Sequence, residues 1–340
     1  MSNNIKENQI ISIVGATATG KTAAALALAE KLLTLKLVRA VHLLSADSRQ
    51  VYRGLENLSG ADLAHDFLAS KSSLFNYPYF AKQNTNIFLH GVSMINTNDD
   101  WSVAHFQKLF TQIKSRLSNQ EILLVVGGTG FYQQQIINPA ETIIIPQNQK
   151  LREKLAKLNV AKLQKQLKDL DQKKLESMNN SDLNNPRRLV RAIEVASYKA
   201  KHPATTKQIS KQKSKIFYLA LPKAVREIKI KQRVCDRFTL AKNEVEQQLQ
   251  NKEISALATT CTGFEELTQF IRGKIDQPTC LAKWQLAEIQ YAKRQDTWWQ
   301  KRAGLIKIDA EKTKKIADKI IDTCYIWNYV RSFSSKHFNG

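Results

Sequence analysis

Few features of this sequence point to an oxidising compartment or a bilayer. Its 340 residues include only 4 cysteines, Cys235, Cys261, Cys280 and Cys324. They are widely spaced and form no CxxC pair, so neither a zinc knuckle nor a disulfide framework is indicated. They read as reduced, mostly buried thiols. The 6 histidines show no ligand spacing, and no structural metal is expected. No apolar run reaches the roughly 18 residues that a membrane helix needs. The opening stretch MSNNIKENQ lacks the charged-then-apolar pattern of a secretory signal. The cytoplasm is the expected location, with no membrane partner.

Acidic side chains are also scarce, at 30 against 52 lysines and arginines, a formal net charge of +22. The surplus is uneven. Residues 1–140 hold 12 basic and 9 acidic side chains, whereas residues 141–340 hold 40 and 21. An excess of that size on one portion favours a polyanionic partner, because each neutralised phosphate releases condensed counterions. A lysine-rich surface that serves only solubility gives the same count, so charge alone does not decide.

What is present is the pattern of an α/β protein. The apolar runs IISIV (10–14), VHLLS (41–45) and EILLVVGG (121–128) read as buried strands of a parallel sheet, separated by helix-period segments. A fourth, KIFYLAL (215–221), arrives late and leads into a long helical stretch. Between the third and fourth, residues 141–209 repeat leucines at helical spacing with polar faces and predict a small inserted helical subdomain. Residues 1–140 and 210–340 then form the core, an α/β fold with a parallel sheet. Residues 56–89 have weak periodicity and predict a long irregular connection.

GATATGKT directly follows the first strand. Gly15, Gly20, Lys21 and Thr22 fit GxxxxGK[ST] in the strand-to-helix context the motif requires. Loop amides and a helix N-terminus suit phosphate oxygens, Lys21 supplies a point charge, and Thr22 can reach a magnesium ion. The whole loop, Gly15, Ala16, Thr17, Ala18, Thr19, Gly20, Lys21 and Thr22, is the candidate phosphate site. A nucleoside-triphosphate hydrolase would place a carboxylate at the end of an apolar strand. EILLVV ends instead in GGTGFY. The candidate carboxylate is Asp47, just after the second strand, where carboxyl ends of strands face the ligand crevice. Magnesium ligand, general base and helix cap are all open to it on position alone. Ser48, Arg49 and Gln50 beside it are rich in hydrogen-bonding groups suited to a nucleotide.

Five ordered motifs, GATATGKT, SADSRQVYRGL, VVGGTGFY, NNPRRLVRAIEV and YAKRQDTWW, resemble those of the tRNA dimethylallyltransferase (isopentenyltransferase) family, over residues from about 10 to 300. The resemblance implies a P-loop fold of nucleotide-kinase type and transfer of the dimethylallyl group of dimethylallyl diphosphate to the N6 amine of adenosine 37, beside the tRNA anticodon, with magnesium as cofactor and a monomeric enzyme. It implies Asp47 as base, with Lys21, Thr22 and the loop holding the leaving diphosphate, and Thr129 beside the reacting centre. Arg233 and Arg237, four apart on one helical face, match family arginines, at least one of which the resemblance puts on the diphosphate. It assigns tRNA contacts to Asp47, Ser48, Arg49 and Gln50, to Arg152, to Arg187, Arg188, Leu189, Val190 and Arg191, and to Lys293, Arg294 and Gln295. An adenylate prenyltransferase would share the loop, Asp47 and Thr129 but would not need the basic insert. A P-loop phosphotransferase would need a nucleotide pocket and a lid that the sequence does not reveal.

Overall fold

The computed structural model describes residues 10–61, 63–70, 75, 77–202, 214–250, 253–311 and 316–324; the opening MSNNIKENQ lies outside them. The chain divides into two compact units, one built from Met1–Ile137 and Gln212–Gly340, the other from Asn138–Lys211.

The first unit is built on one eight-stranded sheet. Its strands are β1 (Ile10–Val14), β2 (Ala40–Ser45), β3 (Phe67–Ala69), β4 (Phe80–Lys82), β5 (Ile87–His90), β6 (Glu121–Gly127), β7 (Lys215–Ala220) and β8 (Leu305–Asp309). They lie in the order β3-β4-β5-β2-β6-β1-β7-β8. From β5 to β8 every pairing is parallel, and only β3 and β4 join antiparallel at one edge. β1, buried at all five positions, therefore runs through the interior of the sheet between β6 and β7. Successive side chains of a strand face opposite ways. Ile11, Ile13, Ile122 and Leu124 accordingly pack in one cluster with Leu28 and Ile320, while Ile10, Leu123 and Val125 pack in another with Phe106, Tyr132 and Trp284. Both faces are covered, which a mostly parallel sheet requires.

The helices of this unit are α1 (Lys21–Thr34), α2 (Glu56–Ser59), α3 (Val103–Arg116) and α4 (Gly130–Ile137) before the insert. The insert supplies α5 (Gln149–Leu155), α6 (Val160–Glu176), α7 (Asn180–Leu183) and α8 (Pro186–Lys201). Four more follow it: α9 (Lys223–Gln250), α10 (Phe264–Ile271), α11 (Gln277–Gln300) and α12 (Ile316–Cys324). The four strands expected from apolar runs form, and the fold class is α/β as expected. Within 56–89 the irregular chain is broken by α2, β3, β4 and the first residues of β5. Those strands are three or four residues long and fall below any periodicity signal.

One buried polar pair crosses two neighbouring strands. His42 Nδ1 of β2 lies 3.0 Å from His90 Nε2 of β5, amid Phe75, Tyr79 and Phe88. Burial pushes His42 down to about 4, against the opposing pull of Glu121, whose carboxylate is 3.8 Å from His42 Nε2. Burial, with His42 beside it, also holds His90 well below the ordinary value. The unfolded chain takes up protons near pH 6.5 that the folded chain refuses, so stability is lost as pH falls from 6.5 toward 4. His42 alone accounts for about 2 kcal/mol by pH 5, at ~1.4 kcal/mol per pH unit. Urea melts at pH 7.5 and pH 5 should show this drop, and His42→Phe should remove much of it. A pH-independent midpoint in the parent protein would contradict this account.

The segment TGFEEL opens α10. Gly263 has φ of 97° and would direct a Cβ to within 2.4 Å of the Trp284 indole, which is fully buried. Gly263→Ala should therefore cost on the order of 2–4 kcal/mol, combining backbone strain with overpacking. A shift in the thermal midpoint measures it, and an unchanged midpoint would mean that the indole moves freely.

Candidate active site

β1 ends at Val14, and the chain turns under itself through residues 15–20 before α1 starts. Gly15 has no room for a side chain: a Cβ would stand 2.7 Å from Leu219 O and 2.9 Å from Thr19 Oγ1. Ala18 and Gly20 adopt left-handed φ of 62° and 81°. Gly20 caps α1 without any side-chain hydrogen bond, so no capping side chain takes the first-turn amides of α1. Thr19 Oγ1 donates to Ala16 O at 2.9 Å and Lys21 Nζ to the same oxygen at 2.6 Å, closing the loop around Ala16. Ala16 is wholly buried against Ile230 and Ala292. Amides that converge at a helix N-terminus beside a lysine form an anion cradle. Thr22 lines a small cavity of about 40 Å³ with Ser45 and Gln50.

β2 delivers Asp47. Ala46 N continues the ladder by donating to Val126 O at 2.7 Å. A Cβ on Gly127 would approach Ala46 O to 2.5 Å, so the two strand ends lie in close contact. Asp47 Oδ1 accepts from Arg49 N at 2.8 Å, an Asx turn that fixes the carboxylate. Ser45 Oγ donates to Gln50 Oε1 at 2.6 Å and Gln50 Nε2 to Gly60 O at 2.9 Å, so both ends of this amide brace the 45–60 segment. Ser48 and Arg49 are half-buried beside it.

Three groups gather round that carboxylate. Burial pushes the Tyr132 and Tyr291 phenols far above their usual range, and the Asp47 charge adds to both shifts. Thr129 Oγ1 is buried next to the Tyr291 hydroxyl, which interacts with it without reaching good hydrogen-bond geometry. A buried hydroxyl without a well-aligned partner is costly unless a ligand supplies one.

The two arginines of α9 separate here. Arg233 Nη1 donates to Thr17 Oγ1 at 3.2 Å and Nη2 to Gly60 O at 2.8 Å, touching the phosphate loop. Arg237 turns to the α2 carbonyls of Asn57 and Leu58 at 3.1 and 3.3 Å and to Glu288 at 3.5 Å. Its guanidinium lies 5.6 Å from the Trp284 ring centroid. Burial raises the Glu288 carboxyl above its usual value, against the pull of Arg237 and Arg233.

α11 brings Lys293 and Arg294 to the surface, with Arg294 over the Tyr291 ring at 5.6 Å. Gln295 does not join them. It is 6% exposed and its Oε1 accepts from Thr17 N at 2.8 Å, so this side chain faces the phosphate loop and not the surface that carries Lys293 and Arg294. Trp299 is in the core. The half-buried Trp298 packs against Gly130, whose added Cβ would meet its ring at 2.1 Å.

The inserted unit has its own core, formed by Leu163, Leu167, Leu189 and Ile193. Residues 138–211 carry 16 basic and 7 acidic side chains. Asn185 and Pro186 start α8, and Arg187 and Arg188 are exposed in its first turn, Arg188 paired with Asp182. Arg152 and Arg191 instead converge on the buried Glu194. Leu189 is fully buried, so it packs the insert and offers no side chain to a polyanion; Val190 is half-buried.

A sequence model of the IPP transferase family matches residues 78–302. The tRNA dimethylallyltransferase 2 of Treponema denticola is 30% identical over 307 residues, covering 87% of this chain and 92% of that protein. The chain belongs to the IPP transferase family. The Shewanella sediminis tRNA dimethylallyltransferase 2 is likewise 30% identical, over 87% and 90% of the two chains. The fold likeness extends across the chain. The Bacillus halodurans tRNA isopentenylpyrophosphate transferase structure superposes with a TM-score of 0.63 at 21% identity, covering 96% of this chain and 99% of that one. A eukaryotic dimethylallyltransferase solved acting on tRNA gives a TM-score of 0.70 at 18% identity, over 94% and 79%. In this IPP transferase the sequence alone did not single out Glu288, Tyr132 and Tyr291 as companions of Asp47. All are polar or amphipathic residues within helices whose burial only the packing of α4, α9 and α11 reveals.

Proposed function

We propose that this IPP transferase moves the dimethylallyl group of dimethylallyl diphosphate onto the exocyclic N6 of adenosine 37 in tRNA, next to the anticodon. The observation that carries this reading is Asp47, held at the carboxyl end of β2, with the buried Thr129 hydroxyl after the neighbouring β6 and the phosphate loop after β1. In the reaction the allylic C–O bond breaks with its electron pair leaving on the diphosphate. The N6–C bond forms, and the N6 proton passes to the Asp47 carboxylate. The loop amides, Lys21 and Arg233 stabilise the departing charge. Arg237, turned to α2 and Glu288, holds Arg233 and α2 in place. Thr129 positions the amine.

Thr22, directly after Lys21 in α1, is the side chain suited to share a magnesium ion with phosphate and water, since Ser45 and Gln50 are bonded to each other and the rest of the cavity the three line is apolar. Thr22 would hold it, and it would supply neutralisation of diphosphate charge. Dimethylallyl diphosphate reaches the P-loop, while the anticodon stem-loop is gripped by Lys293, Arg294, Arg187 and Arg188, with the adenine flipped from its stack. No described helix is long and apolar enough to cross a membrane. The enzyme acts as a cytoplasmic monomer on this reading.

The test offers labelled dimethylallyl diphosphate and magnesium with unmodified tRNA, with AMP and with no acceptor in parallel. Label in tRNA that is lost when adenosine 37 is replaced supports the proposal. Label in AMP alone, or ATP-dependent phosphate transfer without prenylation, overturns it.

A further inference from the structure

α11 presents two different faces. Lys293 and Arg294 are exposed, while Glu288, Gln295 and Trp299 are buried. The buried face reaches both halves of the site. Gln295 Oε1 accepts from Thr17 N in the phosphate loop at 2.8 Å. Its Nε2 lies over Gly128, where an added Cβ would come within 2.1 Å of it. One turn on, Trp299 Nε1 donates to Gly128 O at 3.4 Å, and Trp298 covers Gly130. A single carboxamide thus bridges the loop that carries Lys21 and the turn that carries Thr129.

We infer that Gln295 is a positioning residue that sets the spacing between the diphosphate cradle and the Thr129 turn. The inference rests on the proposed prenyl transfer. Two substrates must meet with their reacting atoms aligned to a fraction of an ångström, and a 1 Å misplacement costs on the order of 10²-fold in rate. The phosphate loop and the Thr129 turn follow different strands, β1 and β6. Strand pairing stops at Val14 and Gly127, so beyond those residues the ladder does not fix the spacing. Gln295 fixes it from the opposite side, by a hydrogen bond to one segment and close packing on the other. Its neighbours Lys293 and Arg294 belong to the same helix, so RNA docked on the exposed face presses on the element that holds the loop.

Two substitutions separate this role from a direct RNA contact. Gln295→Met keeps the volume and removes both polar ends. Gln295→Glu keeps an acceptor for Thr17 N and sets a negative charge beside the diphosphate. Gln295→Met should weaken binding of inorganic diphosphate, titrated with magnesium, several-fold. It should also lower kcat for tRNA prenylation by 10- to 100-fold, with tRNA Kd within twofold of the parent and the thermal midpoint nearly unchanged. Gln295→Glu should weaken diphosphate more than Gln295→Met does. The inference is overturned if Gln295→Met binds diphosphate like the parent while tRNA affinity falls in a salt-dependent way. If the parent prenylates no tRNA, the functional reading fails, while the diphosphate titrations still decide whether Gln295 shapes the loop. Should Gln295→Met not fold, Gln295→Glu carries the same comparison, and diphosphate affinity equal to the parent's would sink the inference.

Discussion

Asp47→Asn should lower the rate of prenyl transfer by about 10²- to 10⁴-fold, the usual contribution of a positioned general base. Asparagine keeps the size of the side chain and an oxygen able to accept the Arg49 N–H, so the turn after β2 persists. It cannot take the N6 proton. Single-turnover rates at saturating tRNA and dimethylallyl diphosphate isolate this step, and both dissociation constants should stay within a few-fold of the parent values. A rate within a few-fold of the parent would mean that another group accepts the proton. The two phenols do not compensate, because burial, the largest cause of their raised values, persists in the variant and holds Tyr132 and Tyr291 protonated even without the Asp47 charge. Thr129→Ala makes a useful contrast, since it removes the buried hydroxyl beside Tyr291 and leaves the base. Its loss should be smaller than that of Asp47→Asn, and it should fall mainly on kcat.

The parts of this site legible in the sequence are those set by local backbone chemistry. A glycine loop between a buried strand and a helix has few alternatives, and an aspartate just past a strand end must lie near the neighbouring strand ends. β1, β2, β6 and β7 were legible because each is mostly apolar, with at least three buried residues in a row. β4, with the sequence FAK, and β8, with LIKID, mix polar and apolar residues and gave no such signal. The arginines show the limit most clearly. Arg233 and Arg237 lie on one helical face, and their spacing ranks neither. Their contacts differ because α2 carbonyls take Arg237, whereas Gly60 and Thr17 take Arg233. Those partners lie more than 170 residues away in the chain.

The same limit separates two kinds of arginine in the inserted unit, and Glu194 makes the separation measurable. Its carboxylate, with a side chain 1% exposed, accepts from Arg152 Nε and Nη2 at 2.7 and 2.8 Å, from Arg191 Nη1 at 2.9 Å and from Asn148 N at 2.8 Å. Burial pushes this carboxyl up, but the hydrogen bonds from Arg152, Asn148 and Arg191 outweigh it and hold it below the usual range. Arg191 also donates to Thr142 O and Ile145 O, tying the start of the insert to α8. Glu194→Ala would leave two guanidinium groups facing each other without their anion, at a cost of about 3–5 kcal/mol. A unit with so small a core has little stability to spare. Limited proteolysis should then cut within residues 138–211, and tRNA affinity should fall in a way that low salt does not restore. Arg187→Ala and Arg188→Ala should behave differently. Both side chains are exposed, and the surface pair of Arg188 with Asp182 is worth ~1 kcal/mol at most. Stability should hold, while tRNA affinity falls and the slope of its salt dependence drops by about one for each lost phosphate contact. If Arg152→Ala or Arg191→Ala instead gave that salt signature with an intact insert, the Glu194 cluster would be a phosphate grip rather than an internal brace.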